Sequence, residues 1–235
     1  LGPIGPVTVW SMAAASDIPR SPWPLRLLTL ANQSFEIIAV CIGYRTHMAV
    51  DPVLVAEAFA PEIRQRAAEI ESARRMPEDL TRRMAEAGLF RILVPEQYGG
   101  SQVHPRLFFE TLEATSRADA SVGWCLMIGT TTSLLAASLD PTWAKEIYAD
   151  HPNTITCGVT APVGRAVRTG AGLEVSGEWP FGSGSQISDW ICGGCFIYQD
   201  GKQDGKQDGK PLMGDHGPQA LLAFFPASEV TIHDT

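Results

Sequence analysis

Apolar residues recur three and four positions apart through the segment that follows residue 50, with charged residues between them. The apolar positions of this segment are Val55, Phe59, Ile63, Ala67 and Ile70. Because such spacing lines up one apolar face along a helix, it predicts an amphipathic helix over residues 51–75. We expect an interruption or kink near Pro61, since proline has no amide hydrogen to give to the helix ladder.

Four further helices are predicted before the pattern changes. One begins at Pro77, where the acidic residues that follow suit the first turn, and ends at Gly88, which suits a left-handed cap. The stretches 106–118 and 122–139 predict two more, and the strong apolarity of the second indicates burial on several sides. The last covers residues 140–148, because an aspartate followed by a proline is a typical helix start.

After residue 152 the chain changes to short runs rich in β-branched and aromatic residues, separated by glycine turns. These runs are 154–160, 173–176, 188–198 and 220–225. They are typical of strands. We therefore predict an α+β multidomain protein, with an all-α domain over residues 48–152 and an all-β domain, a barrel or a sandwich, over residues 153–235.

Three segments are expected to lie outside this regular structure. Residues 1–47 contain five prolines and no sustained period, so we predict an extension outside the fold, and its longest apolar run is far shorter than the ~20 residues of a membrane helix. Residues 199–210 repeat QDGK three times, which predicts a solvated hairpin tip. The chain ends just after the strand-like segment 230–234, and we expect a truncation there.

Charge and cysteine content exclude several partners. A formal net charge of −8 and a pI near 5.1 give no basic field that would attract nucleic acid or an anionic membrane. Five cysteines without dense spacing fit a reducing compartment, so we predict a cytoplasmic protein. Cys192 and Cys195 form a CxxC, but on a strand their thiols would point to opposite faces, and two packed cysteines are favoured over a metal site.

The stretch 173–195, LEVSGEWPFGSGSQISDWICGGC, contains the strongest candidate for a binding site. Gly182 and Gly184 flank Ser183, so the backbone can approach a flat ligand with no Cβ in the way, and one hydroxyl is available. Trp179 and Phe181 add aromatic surface, as in many small-molecule pockets. A glycine-rich hairpin corner with aromatic core residues would have the same pattern, and these residues alone leave both interpretations open.

Three stretches are similar to the acyl-CoA dehydrogenase superfamily, and within it to the flavin-dependent monooxygenase branch. GLFRILVPEQYGG at 88–100 and EATSRADASVGW at 113–124 resemble the N-terminal helical domain of that family, and residues 156–190 resemble its middle β-domain. Acyl-CoA dehydrogenases usually have Thr-Glu-Pro and Gly-Ser-Asp in the latter. This chain has Thr-Ala-Pro at 160–162 and Trp-Pro-Phe-Gly-Ser-Gly at 179–184, which is closer to the hydroxylases that use a reduced flavin.

The resemblance implies a flavin, FAD or FMN, that lies against the β-domain. The cofactor-binding residues that it implies are Trp124, Gly158, Val159, Thr160, Trp179, Phe181, Ser183 and Gly184. The strand end 158–160 would meet the pyrimidine edge of the ring, Trp179 would form a wall beside it, and Ser183 or a neighbouring amide would face N5. Trp124 and the segment 129–132 would approach from the helical domain, although packing within the helix core would explain them equally well.

The resemblance also implies an activity. We expect a two-component monooxygenase that takes reduced flavin from a separate flavin reductase and uses O2 to hydroxylate a small hydrophobic ring compound. An FAD-dependent acyl-CoA dehydrogenase and a non-catalytic fragment that keeps part of the flavin site are the alternatives. Hydroxylases of this branch often have a histidine near 130–132 that orients a phenol, and the threonines here argue against a phenolic substrate.

We expect the family's C-terminal four-helix bundle to be absent from this chain. In the family this bundle supplies the catalytic residue and builds a homotetramer, so no catalytic residue is assigned here and a homo-oligomer is expected only for a full-length protein. No metal is expected. The remaining histidines have no partner motif and are predicted to be surface or turn residues. They are His104, His151, His216 and His233.

Overall fold

A computed structural model describes residues 51–169, 172–199 and 209–233, together with the backbone of Arg26–Thr29. Its contacts divide the described residues into two compact units. We call the first the helical unit, which comprises residues 51–158, Gly182–Cys192 and 225–233. The second, the sheet unit, comprises Val159–Phe181 and Gly193–Phe224 with the strand at Arg26–Thr29. Each unit is therefore built from several separate stretches of the chain.

Six α-helices are described. They are α1 Pro52–Gln65, α2 Ala67–Ala73, α3 Glu78–Glu86, α4 Pro105–Ser116, α5 Ala120–Ser133 and α6 Pro141–Ala144. Short 3-10 helices at Leu89–Arg91, Glu96–Tyr98 and Leu134–Ser138, and a π-helical turn at Lys145–Ala149, fill the intervals. The five helical regions predicted from the sequence are all present. The residue that ends the second region, Gly88, has the left-handed φ of 86° expected of a cap.

The prediction of an interruption near Pro61 is wrong in position. Helix α1 continues through Pro61, and the chain leaves helical geometry at Arg66, with φ −94° and ψ 6°. Pro61 and Glu57, whose carbonyl the missing amide would have bonded, are both exposed, so water can replace that hydrogen bond. The Arg66 side chain instead reaches Glu69 and Asp79.

The core of the helical unit forms where the apolar faces of the helices meet. Its fully buried side chains include Ile63, Leu80, Met84, Leu89, Leu126 and Ile155. Helix α5 and the 3-10 turn after it, Ala120–Ser138, are together the one helical stretch of the described residues that is long and apolar enough to cross a membrane. Core helices of globular proteins also meet that criterion, and Val122 and Leu126 are fully buried in the core of this unit.

Seven strands are described. They are β1 Arg26–Thr29, β2 Thr156–Thr169, β3 Gly172–Ser176, β4 Trp190–Gln199, β5 Met213–Gly214, β6 Gly217–Pro218 and β7 Ala220–Pro226. Five of them form one sheet in the order β1-β7-β4-β2-β3, and β5 and β6 form a separate ribbon. The pairs β1–β7 and β2–β3 are antiparallel. The predicted succession of helices and then strands is thus confirmed, while the barrel or sandwich form stays a prediction.

The strand bounds differ from the sequence prediction in several places. Strand β2 begins at residue 156 rather than 154 and continues past Pro162 and Gly164 to residue 169, and its residues 165–169 pair with β3. Residues 231–233 form no strand, although their sequence is strand-like. Strand β1 lies within the segment that we predicted to be outside the fold. The rest of that segment, and residues 200–208 of the QDGK repeat, lie outside the described residues.

Candidate cofactor site

The segment between β3 and β4 contains a compact turn, which we call the glycine-serine turn (residues 182–188). Gly184 has a left-handed φ of 79°, and a 3-10 helix at Ser185–Ile187 follows it. The amide of Ser185 donates to the carbonyl oxygen of Gly182 at 3.0 Å, and the Ser188 hydroxyl donates to the carbonyl oxygen of Gly184 at 2.8 Å. The backbone of this segment is therefore ordered by its own hydrogen bonds rather than by a strand ladder.

The first residues of the turn have open space around them. A Cβ built on Gly182 would meet nothing nearer than the Cβ of Ser185, at 3.7 Å. Ser183 is half-buried, and its hydroxyl has no hydrogen-bond partner within the described part of the chain. Packing within the protein therefore does not require a glycine at position 182 or a hydroxyl at position 183. Both features fit a bound flat molecule with a polar edge.

The turn lies beside the first residues of β2 in the helical unit. A Cβ on Gly184 would be 3.9 Å from the Cβ of Cys157. One residue further, a Cβ on Gly158 would come within 3.0 Å of the Cβ of Cys192 and 3.3 Å of the Thr132 hydroxyl oxygen. The structure thus brings the glycine-serine turn and the predicted strand end at Gly158 together, and Gly158 allows helix α5 and strand β4 to pack closely against β2.

Helix α5 contributes both core residues and an exposed indole. Gly129 is buried, and a Cβ on it would come within 2.7 Å of the Phe90 ring. Its carbonyl oxygen accepts a hydrogen bond from the Thr156 hydroxyl at 3.3 Å. Helix packing therefore accounts for Gly129, while Trp124 on the same helix is 55% exposed and is not part of the core.

Trp179, in the sheet unit, is held by glycines. Its indole Nε1 donates to the carbonyl oxygen of Gly194 at 2.8 Å. A Cβ on Gly193 or Gly164 would lie within 2.6 Å or 2.3 Å of its ring atoms, so the ring rests directly on the bare backbone of two strands. The residue is half-buried. Its position is therefore fixed by contacts inside the sheet unit.

The other predicted residues of the sheet unit are less enclosed. Phe181 is 95% exposed and has a φ of 61°, an unusual value for a bulky residue. Val159 is half-buried and Thr160 is exposed. The carbonyl oxygen of Thr160 would lie within 2.4 Å of a Cβ on Gly194, so β2 and β4 approach closely at this point.

The eight predicted residues are divided between the two units. The helical unit contains Trp124, Gly158, Ser183 and Gly184. The sheet unit contains Val159, Thr160, Trp179 and Phe181. Within the helical unit the turn and the strand end are adjacent, and the assignment of all eight residues to a flavin stays a prediction.

Two buried cysteines of the strands have thiol pKa values well above the ordinary value. Burial raises the pKa of Cys157 to about 11 and the pKa of Cys195 to about 12. Cys192 and Cys195 are both fully buried and neither forms a disulfide, as the prediction of two packed cysteines requires. Among the described residues no group of three His, Cys, Asp or Glu side chains could hold a metal ion. The four predicted surface histidines, which are all described, are exposed.

Sequence reasoning missed an ion pair that anchors the turn. Arg82 of α3 donates two hydrogen bonds to Asp189, which directly follows the turn, at 3.0 and 2.9 Å. The two residues are 107 positions apart. No local pattern joins residues at that separation, so the sequence contains no signal by which the pair could have been found.

Comparison with known proteins shows what the chain is similar to. Residues 35–140 match the family model described as acyl-CoA dehydrogenase, N-terminal domain, and the match begins inside the segment that we predicted to be an extension. The chain is 32% identical over 142 residues to the oxygenase subunit HsaA of a flavin-dependent monooxygenase from Mycobacterium tuberculosis, which covers 60% of this chain and 36% of that protein. It is 34% identical over 145 residues to indole-3-acetate monooxygenase from Acinetobacter baumannii, covering 61% and 37% of the two chains.

Solved structures of monooxygenases superpose on a large part of this chain. The crystal structure of HsaA monooxygenase from M. tuberculosis superposes with a TM-score of 0.67 and 29% identity over 78% of this chain and 45% of that chain. XiaF from Streptomyces, solved in complex with FADH2 and glycerol, superposes with a TM-score of 0.68 and 26% identity over 85% of this chain and 45% of that chain. The chain thus spans less than half the length of these relatives. The chain is therefore similar to the acyl-CoA dehydrogenase N-terminal domain over residues 35–140, and to flavin-dependent monooxygenase oxygenase subunits over a larger part of its length.

Proposed function

We propose that the protein is the oxygenase component of a two-component flavin-dependent monooxygenase. It would receive reduced FAD or FMN from a separate reductase and hydroxylate a small hydrophobic ring compound with O2. The names of its relatives support this proposal, because they include an oxygenase subunit and a monooxygenase of an indole compound. The observation within the chain that carries it is the glycine-serine turn, whose Ser183 hydroxyl has no partner among the described residues.

The residues present fit a flavin. The bare backbone at Gly182 admits a planar ring, and the Ser183 hydroxyl would hydrogen-bond its polar edge near N5. The neighbouring strand end at Gly158 would supply backbone groups to the pyrimidine edge. When bound, reduced flavin supplies the two electrons with which O2 is split between the hydroxylated product and water. The chain's own residues bind and orient the ring.

For the sheet unit, the sequence resemblance implies Trp179 and Phe181 as flavin contacts. Within that unit, glycines of the strands hold the Trp179 ring in place and the Phe181 side chain is exposed. The exposed indole of Trp124 would meet the flavin or the substrate from helix α5. A dehydrogenase acting on acyl-CoA is the weaker candidate, because the chain has Thr-Ala-Pro where those enzymes usually have Thr-Glu-Pro.

Flavin titration tests the proposal directly. FAD and FMN, each in oxidised form and in reduced form under anaerobic conditions, would be titrated with the chain and with its Ser183→Ala variant. Ser228→Ala serves as the matched control, because Ser228 is an exposed serine of a separate segment, the 3-10 helix Ala227–Glu229. We expect Ser183→Ala to raise the dissociation constant for flavin by about fivefold, the effect of one lost hydrogen bond. Ser228→Ala should leave this constant unchanged.

Two results would contradict the proposal. One is the absence of any flavin binding by the folded chain at concentrations of roughly 100 μM, since cofactor sites are normally much tighter. The other is equal affinity in the Ser183→Ala and Ser228→Ala variants, which would remove the turn from the site. Bleaching of bound flavin by an acyl-CoA, without a reductase or NADH, would favour the dehydrogenase instead.

A further inference from the structure

Asp189 receives hydrogen bonds from three separate segments of the helical unit. Its carboxylate accepts a two-pronged pair from Arg82, with Nη1–Oδ2 at 3.0 Å and Nη2–Oδ1 at 2.9 Å. The same Oδ2 accepts the amide of Ile155 at 2.8 Å. The Asp189 backbone is also bonded on both sides, by its amide to the Ile155 carbonyl at 2.8 Å and by its carbonyl to the Ala227 amide at 2.8 Å.

This residue closes the glycine-serine turn. Ser188, its neighbour, is buried, and its amide donates to the Ser185 carbonyl at 3.3 Å. The Ser188 hydroxyl holds the carbonyl of Gly184. Hydrogen bonds on either side of the peptide bond between Ser188 and Asp189 therefore connect the Arg82 guanidinium to Gly184, the residue that follows Ser183. The end of the turn cannot shift without breaking several of them.

The ion pair is better suited to positioning than to stabilising the fold. The side chains of Arg82 and Asp189 are 41% and 34% exposed, and exposed ion pairs contribute little free energy to folding because solvent screens them. The planar guanidinium, however, matches both carboxylate oxygens at once and so fixes direction as well as distance. A lysine at position 82 would keep the charge and lose this geometry.

We propose that the Arg82–Asp189 pair is a positioning device that holds the glycine-serine turn in the shape that presents Ser183 to the flavin. The inference rests on the proposed function for the identity of the ligand. The part that concerns the shape of the turn does not depend on any ligand. Arg82 and Asp189 are positioning residues, since neither is required to touch the cofactor.

Hydrogen–deuterium exchange of the ligand-free chain tests the first half of this inference. The variants are Arg82→Met, Arg82→Lys and Asp189→Asn, and the matched control is Arg117→Met, which breaks the exposed Arg117–Glu113 pair within α4 and its cap. We expect Arg82→Met and Asp189→Asn to raise exchange in peptides covering residues 182–190 by about fivefold, a local opening. The lysine variant should restore part of the protection, and Arg117→Met should leave these peptides unchanged.

Flavin titration of the same variants tests the second half. We expect Arg82→Met to weaken flavin binding by about tenfold, as loss of a supporting partner commonly does, with Arg82→Lys between it and the unmodified chain. Unchanged exchange in 182–190, or an affinity equal to that of Arg117→Met, would overturn the inference, and so would faster exchange throughout the helical unit, the sign of a merely structural role. If the unmodified chain bound no flavin, the proposed function would fail, while the exchange data would still decide whether the pair holds the turn.

Discussion

The indole Nε1 of Trp179 hydrogen-bonds the carbonyl oxygen of Gly194 at 2.8 Å, and the ring above that bond rests on glycine backbone. A Cβ on Gly193 would lie 2.6 Å from the ring, and one on Gly164 would lie 2.3 Å from it. Real Cβ atoms do not come this close to a carbon atom. The position of the tryptophan is thus determined by missing side chains on strands β2 and β4, far from it in sequence.

Gly193→Ala should therefore displace the Trp179 ring. The added methyl overlaps the indole and cannot be relieved without moving either the ring or strand β4, so we expect a loss of about 1–3 kcal/mol in the free energy of unfolding. Urea denaturation followed by circular dichroism measures that loss, and a shifted tryptophan emission maximum would report the displaced ring. A variant as stable as the unmodified chain, with unchanged emission, would show that the ring does not rest on Gly193.

Gly182→Ala should leave the stability of the fold almost unchanged but weaken flavin binding. Its methyl meets only the Cβ of Ser185, at 3.7 Å, so we expect the free energy of unfolding to change by less than about 0.5 kcal/mol. If a flavin lies against this backbone, the same methyl should raise the dissociation constant for flavin by about tenfold or more, because small displacements at a binding surface are costly. An affinity equal to that of the unmodified chain would remove Gly182 from the contact surface.

Local patterns predicted the helices well, but they did not indicate contacts between residues far apart in the sequence. The three-and-four spacing of apolar residues located the helices because their burial follows that period, and Gly88 marked a helix end through its left-handed cap. The break at Arg66 was missed, because no proline, glycine or change of period marks that position in the sequence. The bonding of Arg82 to Asp189 was missed for the same reason, since a contact across 107 positions has no local period.

The sequence indicated local backbone geometry where the residue type itself determines it. Gly-Ser-Gly indicated a turn with an accessible hydroxyl, and the structure has a left-handed Gly184 and open space at Gly182. Gly129 and Gly158 also seemed candidates, but a missing Cβ serves close packing of helix and strand as readily as ligand approach. Only the neighbouring atoms distinguish these two uses of glycine.

The ion cluster between α1, α2 and α3 should make stability depend on acid pH. Hydrogen bonds from Arg66 lower the pKa of Asp79 to about 2, below the ~3.9 of an unfolded aspartate. Its contribution to stability is therefore complete above about pH 4 and is lost as the pH falls toward 2. We predict that Asp79→Asn flattens the decline of the urea midpoint between pH 4 and 2, and that added salt does the same to the unmodified chain.

A matched control for this cluster is Glu113→Gln, which removes a single exposed pair within α4 and its cap. This variant should keep the steep decline of the unmodified chain. Equal slopes for Asp79→Asn and the unmodified chain would contradict the lowered pKa of Asp79.

The buried thiols should weaken the fold at alkaline pH. The folded chain keeps Cys157 and Cys195 protonated up to pKa values of about 11 and about 12, whereas an unfolded thiol ionises near pH 8.5. Their contribution is complete below about pH 8.5 and is lost as the pH rises through 11 and 12, at no more than about 1.4 kcal/mol per pH unit for each thiol. The urea midpoint of the unmodified chain should fall from pH 8 to 10. The midpoint of Cys195→Ala should fall less steeply over the same range, whatever its value at pH 8.

Phe181 offers the sharpest comparison of backbone strain with binding. Its φ of 61° is a conformation that costs any residue with a Cβ about 1–2 kcal/mol, while its side chain is 95% exposed and has little packing to lose. Phe181→Gly removes both the strain and the ring, whereas Phe181→Ala removes the ring and keeps the strain. We therefore expect the glycine variant to be more stable than the alanine variant by about 1 kcal/mol in urea denaturation.

The flavin affinities of the two Phe181 variants should not follow the order of their stabilities. If the Phe181 ring contributes aromatic surface to the cofactor site, both variants should lose affinity by a similar factor, because both lack the ring. An alanine variant as stable as the glycine variant would contradict the strained backbone. Weaker binding confined to the glycine variant would instead assign the role at this position to the rigidity of the backbone rather than to the aromatic side chain.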